Sequence, residues 1–153
     1  MTAELTTDVR LAVQDVLVRY ATGIDRRDWE ALRSCFTDDC DADYGTIGHW
    51  HGSDEITDWM RAAHEPCGHT LHRITNPALS PSSGGVTARS YVDALVLATD
   101  NRTGSRASGY YDDELVQTAD GWRIARRRFT MVLLQLVPDG TVVDLDATPD
   151  RRP

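Results

Sequence analysis

The sequence predicts an α+β fold in which helices precede a mostly antiparallel sheet. In the N-terminal part of the chain, apolar residues recur at a spacing close to 3.6, which is typical of amphipathic helices. The C-terminal part consists of extended runs with alternating polarity, separated by turn sequences such as "PSSGG", "DNRTG" and "ADG". Helices followed by strands in one chain indicate the α+β class.

The length and composition indicate one globular domain. The chain has 153 residues, of which 41% are hydrophobic and 26% are charged. A chain of this length can bury a core without disulfides or metals. We therefore expect a single domain over residues 1–153, with its core at about residues 8–137 and a loosely held tail at 138–153.

Charge and cysteine content restrict the classes of partner. The net charge is −8, so nucleic acid and anionic membranes are not expected as partners, because both attract basic surfaces. No apolar run approaches the length of a membrane span, and the polar, acidic first residues do not resemble a signal peptide. The three cysteines include no CxxC pair, so we expect free thiols and a cytoplasmic location.

Three helices are predicted from apolar periodicity and capping residues. The first covers "TTDVRLAVQDVLVRYATGI", with Thr6, Thr7 or Asp8 as its cap, and Gly23 indicates where it ends. The second, "RRDWEALRSCF", has Asp28 as its cap. The third, "GSDEITDWMRAAH", has Ser53 as its cap. Between the second and third helices, "TDDCDADYG" is predicted to be a turn leading into a short strand.

Four strands are predicted after the third helix. They are "HTLHRITNPAL", "VTARSYVDALVLA", "SRASGYYDDELVQT" and "WRIARRRFTMVLLQLV". The last strand is apolar on both sides, and a strand with two apolar faces is usually buried on both. We therefore expect a homodimer or homotrimer that forms through the outer face of the sheet. The residues concerned are Met131, Leu133 and Val137 on one side, and Val132, Leu134 and Leu136 on the other.

Five segments, in this order, carry a resemblance to a known family: "VRYATGIDRRDWEAL", "CFTDDCDADYG", "GSDEITDWM", "HRITNP" and "GYYDDELVQTADGWRIARRR". Together they resemble the SnoaL-like branch of the NTF2-like superfamily, over most of the chain. The resemblance implies a cone-shaped barrel, in which a curved, mostly antiparallel sheet wraps around three helices and leaves a pocket at its open end. The family includes polyketide cyclases, ketosteroid isomerases, scytalone and bile-acid dehydratases, epoxide hydrolases and non-enzymes, so the fold does not fix the reaction.

The resemblance also implies three catalytic residues. The apolar stripe of the first helix includes Tyr20 and ends beside Asp25. Dehydratases of the family carry a tyrosine and an aspartate at this spacing, and a histidine on the first strand after the third helix, where His72 lies. His72 would act as base and acid, with Asp25 fixing its tautomer and Tyr20 donating a hydrogen bond to the developing oxyanion. The alternative for His72 is a purely structural role.

Tyr44, Trp59 and Arg127 are predicted as substrate-binding residues. Tyr44 stands where the ketosteroid isomerases carry their acidic base, so this chain is not expected to use that chemistry. Arg127 matches an arginine frequent in the last long strand of the family. It could bind an anionic substrate group, pair with Asp25, or belong to a solvated arginine face.

Strict alternation divides the last strand into two faces but does not show which of them looks inward. It places Arg127 with Ala125 and Phe129 on one face of the last strand. The opposite face would then carry Trp122, Ile124, Arg126 and Arg128.

Neither metal nor cofactor is expected. His49 and His51 in "HWH" lie on one side of an extended segment, but zinc needs further convergent ligands. The sequence contains no HExxH, GxSxG or GxGxxG motif and no phosphate-binding loop.

These observations predict a cofactor-independent acid–base enzyme. It would be a dehydratase or isomerase acting on a hydrophobic, cyclic carbonyl compound of polyketide or steroid type, as the resemblance implies. One alternative is a cyclase or epoxide hydrolase in the same pocket, and the latter would need a second inward carboxylate, for which Asp93 is the best candidate. The other is a non-catalytic module for small-molecule binding or dimerisation, which would not require Tyr20, Asp25 and His72 to converge.

Overall fold

The computed structural model describes residues 4–141, which form three helices and six strands. The predicted α+β class is confirmed, although two strands precede the third helix. Of the predicted tail, residues 138–141 are described and residues 142–153 lie outside the described part. In chain order the elements are α1 (Thr7–Asp25), α2 (Trp29–Arg33), β1 (Phe36–Asp43), β2 (His49–His51), α3 (Ser53–His64), β3 (Thr70–Ser82), β4 (Gly85–Leu97), β5 (Gly104–Thr118) and β6 (Gly121–Val137).

The six strands form one curved sheet in the order β2-β1-β6-β5-β4-β3. Neighbouring strands are antiparallel except β1 and β6, which are parallel. Strands β2 and β3 form the two edges, so the sheet is not closed. Helix α1 packs against α2, β3 and β6, and α3 packs against β1. Buried residues of all three helices and of strands β1, β4, β5 and β6 share one core.

Helix α1 begins and ends where local chemistry favours it. The Thr6 hydroxyl accepts a hydrogen bond from the Val9 N–H at 3.3 Å, and the helix continues through Gly23 to Asp25. The helix thus ends one residue beyond Ile24, the predicted end, and two residues after Gly23. A Cβ atom at this position would lie 3.0 Å from the Leu32 nitrogen, so the glycine allows α2 to pack closely against α1.

Between α2 and β3, the predicted turn and the predicted cap of the third helix are wrong. The strand predicted between α2 and α3 is present as β1, but it has eight residues and takes the place of the turn that was expected to precede it. Helix α3 follows Gly52, whose φ of 92° lies in the region that favours glycine. The Ser53 hydroxyl does not cap the helix; it is buried, with no hydrogen-bond partner within residues 4–141. Instead, the Glu55 carboxylate accepts a hydrogen bond from the His51 N–H at 2.9 Å.

A β-bulge in β6 overturns the predicted alternation. The residues of β5 that pair with Ile124 and Arg126 are consecutive, so Ala125 is an extra residue on β6. The bulge brings Ile124 and Arg127 to the same, buried side of the strand. Arg126 and Arg128 are exposed on the other side. Arg127 is therefore the arginine of this segment that enters the core.

The outer face of the sheet carries alternating charges. Asp43, Arg128, Asp112 and Arg89 lie side by side on four adjacent strands, and a polar groove of about 740 Å³ runs along them. The exposed apolar residues of β6 lie farther along the strand, and they are Val132, Leu133, Leu134 and Leu136. Association through this face stays a prediction.

Within the described part of the chain, no helix is both long and apolar enough to cross a membrane.

Candidate active site

His72 and Asp25 are in direct contact where the end of α1 meets β3. The Nδ1 atom of His72 lies 2.7 Å from Oδ1 of Asp25, and the His72 backbone N–H donates to Oδ2 at 2.8 Å. The side chains are 6% and 21% exposed. A carboxylate can only accept hydrogen bonds, so the ring donates through Nδ1. The lone pair of a neutral ring therefore resides on Nε2.

Further donors hold the Asp25 carboxylate in place. The Thr70 hydroxyl donates to Oδ1 of Asp25 at 2.9 Å. Arg27, which is buried, donates to the Thr70 hydroxyl and to the Gly68 carbonyl, both at 2.8 Å. Sequence reasoning missed Arg27 and Thr70, because neither lies on an apolar stripe and the resemblance assigned no role to either.

His64 is a second buried histidine beside the Asp25–His72 pair. Its ring centroid lies 5.5 Å from that of His72, and its Nδ1 lies 2.9 Å from the Met60 carbonyl, to which it donates. Burial, and to a smaller extent the neighbouring His72, lower the pKa of His64 to about 4. His64 is therefore neutral at pH 7. Sequence reasoning missed it, although its position four residues after Met60 continues the apolar face of α3.

Tyr20 lies in a cluster of three buried tyrosines. Its hydroxyl is 2.9 Å from that of Tyr44 and 3.3 Å from that of Tyr111. Burial raises the pKa of all three phenols above the usual value, so the hydroxyls keep their protons and can act as donors. Tyr111, from the "GYYDD" segment, was not predicted as a site residue.

Arg127 and Asp113 form a bidentate ion pair beneath these tyrosines. The two nitrogen–oxygen distances are 2.7 and 2.8 Å, and both side chains are 0% exposed. The guanidinium carbon lies 4.2 Å from the ring centroid of Tyr20 and 4.0 Å from that of Tyr111. Burial raises the pKa of Asp113, and the adjacent guanidinium opposes this rise. Arg127 therefore pairs with Asp113 and not with Asp25. It does not belong to a solvated arginine face, because its side chain is fully buried.

The structure brings the predicted site residues together in two groups. His72 contacts Asp25, whereas the Tyr20 hydroxyl bonds to other tyrosines, Tyr44 among them. Trp59 joins the second group through Trp50, whose ring centroid lies 4.5 Å from that of Trp59 and 5.4 Å from that of Tyr44.

Asp93 does not supply the inward carboxylate that epoxide hydrolysis would require. It accepts a hydrogen bond from Arg106 at 2.6 Å on the exposed side of the sheet. This bond, above all other contacts, lowers the pKa of Asp93 to about 2. The inward carboxylate is Asp113, and both of its oxygens are bound to Arg127.

Known structures share this fold across most of the chain. A candidate scytalone dehydratase from Novosphingobium aromaticivorans superposes with a TM-score of 0.76 at 23% identity, covering 94% of this chain and 97% of the other. A type 2 hexachlorocyclohexane dehydrochlorinase gives 0.75 at 22% identity, with coverages of 92% and 93%. The ActVI-ORFA protein of Streptomyces coelicolor gives 0.71 at 25% identity, with coverages of 82% and 98%.

Sequence comparison gives the family. An uncharacterised protein of Mycobacterium tuberculosis strain H37Rv is 34% identical over 122 residues, which cover 77% of this chain and 82% of the relative. Residues 6–128 match the SnoaL-like domain family, whose neighbours in structure carry the same NTF2-like fold. The chain is therefore a member of the SnoaL-like domain family.

Proposed function

We propose that this protein is a cofactor-independent acid–base enzyme, a dehydratase or isomerase. The single observation that carries the proposal is the contact between His72 and Asp25. A half-buried carboxylate that holds Nδ1 of a nearly buried imidazole leaves Nε2 free to take a proton. The proposed substrate is a hydrophobic, cyclic carbonyl compound of polyketide or steroid type, and this choice rests on the family. The proposed location is the cytoplasm, which is supported by three free cysteines.

In the proposed dehydration, Nε2 of His72 removes the proton next to the substrate carbonyl. The electrons of the broken C–H bond form an enolate, and the Asp25 carboxylate stabilises the resulting imidazolium through Nδ1. The imidazolium then returns its proton to the departing hydroxyl group, which leaves as water while the carbon–carbon double bond forms. Thr70 and Arg27 support this step because they keep Asp25 oriented towards the ring.

Tyr20 is the proposed donor to the enolate oxygen. Its hydroxyl has one proton to donate. Of its two contacts, the one to the Tyr111 hydroxyl at 3.3 Å is longer and therefore weaker, so a substrate oxygen could replace it. Tyr44, Trp59 and Arg127 are the proposed substrate-binding residues. The Nη1 atom of Arg127 has no hydrogen-bond partner within residues 4–141, so a substrate oxygen would satisfy a buried donor.

We prefer elimination to cyclisation as the proposed reaction, and the names of two structural neighbours support this choice. These neighbours are named for the removal of water and of hydrogen chloride, respectively. Each of these reactions removes a proton and a leaving group from neighbouring carbons, which is the chemistry that one positioned histidine can support.

The test begins with mass spectrometry of small molecules that copurify with the protein. The identified class of compound then serves as substrate, and loss of water or double-bond migration is followed with time. We expect His72→Ala to reduce turnover by at least about a hundredfold, and Asp25→Asn to reduce it less. His69→Ala is the matched control, since it removes a histidine outside the pair.

Two results would contradict the proposal. One is full turnover by His72→Ala. The other is tight binding of the copurified compound with no conversion by the unmodified protein, which would favour the non-catalytic binding module.

A further inference from the structure

The exposed side of the β1–β2 hairpin carries two histidines and an aspartate that converge. Asp41 lies directly opposite His51 in the antiparallel pair. Its Oδ1 atom is 2.7 Å from Nε2 of His49 and 3.0 Å from Nδ1 of His51. One ligand atom from each of the three residues lies within 4.8 Å of the others. The sequence showed the two histidines, but only the strand register supplies the third group.

We propose that Asp41, His49 and His51 bind a divalent transition-metal ion of the zinc type. Two imidazole nitrogens and one carboxylate oxygen are a ligand set that zinc accepts, with bonds of about 2.0–2.2 Å. In a tetrahedral site with such bonds, ligand atoms lie roughly 3.4 Å apart. The present spacing therefore needs only small rotations of side chains that are 39%, 47% and 70% exposed. Water would complete the coordination.

The local charges are compatible with a cation. The Asp41 carboxylate supplies an oxygen ligand that already lies beside both imidazoles. The two imidazole centroids are only 4.6 Å apart, so one metal ion could take a lone pair from each ring. Arg126 on β6 lies opposite Asp41. The Glu114 carboxylate, which is 4.0 Å from the Arg126 guanidinium, offsets part of the positive charge of Arg126.

Metal binding here would stabilise one wall of the proposed substrate site. Strand β2 is a three-residue edge strand whose ladder partner is β1. Trp50 lies between the two histidines, so its side chain points to the opposite face, where its ring packs against those of Trp59 and Tyr44. An ion joining β2 to β1 would hold Trp50 against these residues. Zinc binding itself does not depend on the proposed reaction.

Calorimetric titration of the chelator-treated, full-length protein with Zn²⁺ tests the site. We expect one zinc ion per chain. His49→Ala, His51→Ala and Asp41→Asn should each weaken the affinity by at least about tenfold, since loss of even an outer-sphere partner costs about 10–100-fold. Circular dichroism verifies that each variant is folded.

Matched controls separate this site from other metal ligands. Cys67→Ser, His69→Ala and His72→Ala should bind zinc as the unmodified protein does, because none of these residues lies in the cluster. Absence of zinc binding by the unmodified protein would overturn the proposal. Unchanged affinity in the His49→Ala/His51→Ala double variant would also overturn it. So would loss of binding in His72→Ala alone, which would place the ion at the Asp25–His72 pair.

Discussion

Replacing Asp113 by asparagine measures how strongly the buried Arg127–Asp113 pair supports the core. Asparagine keeps the shape of the side chain but removes its charge and one of the two acceptor oxygens. The Arg127 guanidinium then remains charged at 0% exposure without a counter-ion. Breaking a buried ion pair by removing one partner costs about 3–5 kcal/mol. The retained oxygen and the two stacked tyrosine rings favour the lower end, about 3 kcal/mol.

Urea denaturation followed by tryptophan fluorescence gives the free energy of unfolding. With a slope of about 2 kcal/mol per molar urea, a loss of 3 kcal/mol lowers the midpoint by about 1.5 M. Asp112→Asn is the matched control. Asp112 also forms a bidentate pair, at 2.6 and 2.7 Å to Arg89, but these side chains are 40% and 54% exposed. The control should lose at most about 1 kcal/mol.

Equal midpoints for Asp113→Asn and Asp112→Asn would refute the reasoning, because the larger loss is predicted from the burial of the Arg127–Asp113 pair. A double variant, Asp113→Leu with Arg127→Met, identifies the origin of the cost. Recovery to near the original stability would show that the unpaired charge is responsible. A double variant as unstable as Asp113→Asn would instead point to lost packing around the tyrosines.

Three further predictions concern pH, catalysis and assembly. His64 has a pKa of about 4 in the folded chain against an ordinary 6.5. Its contribution to the stability of the fold is therefore fully present above pH 6.5 and is lost as the pH falls towards 4. Between pH 7 and pH 4.5, the free energy of unfolding should fall by about 2–3 kcal/mol less in His64→Gln than in the unmodified protein, as urea unfolding would show. An equal fall in both proteins would contradict the assignment. Steady-state kinetics of Tyr20→Phe should show a larger fall in kcat than rise in KM, because an oxyanion donor acts mainly in the transition state; the reverse pattern would exclude that role. Light scattering should give a dimer or trimer at micromolar concentration, shifted towards monomer by Leu134→Lys, and a monomeric unmodified protein would contradict association.

The features that the sequence predicted correctly depend on local signals. Helix α1 follows from the spacing of its apolar residues, and Asp28 caps α2 as expected by accepting the Ala31 N–H at 3.1 Å. The hairpin turns between the last four strands follow from their glycines and polar residues. The pairing of His72 with Asp25 was suggested by resemblance to a family, since 47 residues separate the two in the chain.

The features that could not be predicted depend on strand register. The extra residue Ala125 determines that Arg127 enters the core, and the apolar pattern around "ARRR" contains no sign of a bulge. Its partner, Asp113, was hidden within an acidic "DDE" segment in which alternate residues reach opposite faces. Asp41 meets the two histidines of β2 because of cross-strand pairing alone. Long-range pairings of this kind leave no periodic signal in one sequence.

The parallel pairing of β1 with β6 has a consequence for how the chain folds during synthesis. Cys35 and Phe36 emerge from the ribosome long before Ile124, which pairs with Phe36 and donates its N–H to the Cys35 carbonyl at 2.7 Å. The β3–β4 and β4–β5 hairpins can close earlier, since their strands are neighbours in sequence. Bringing distant segments together late is slow and leaves unpaired strand edges exposed in the meantime. We therefore expect the nascent N-terminal segment to be the part of this protein that depends most on molecular chaperones.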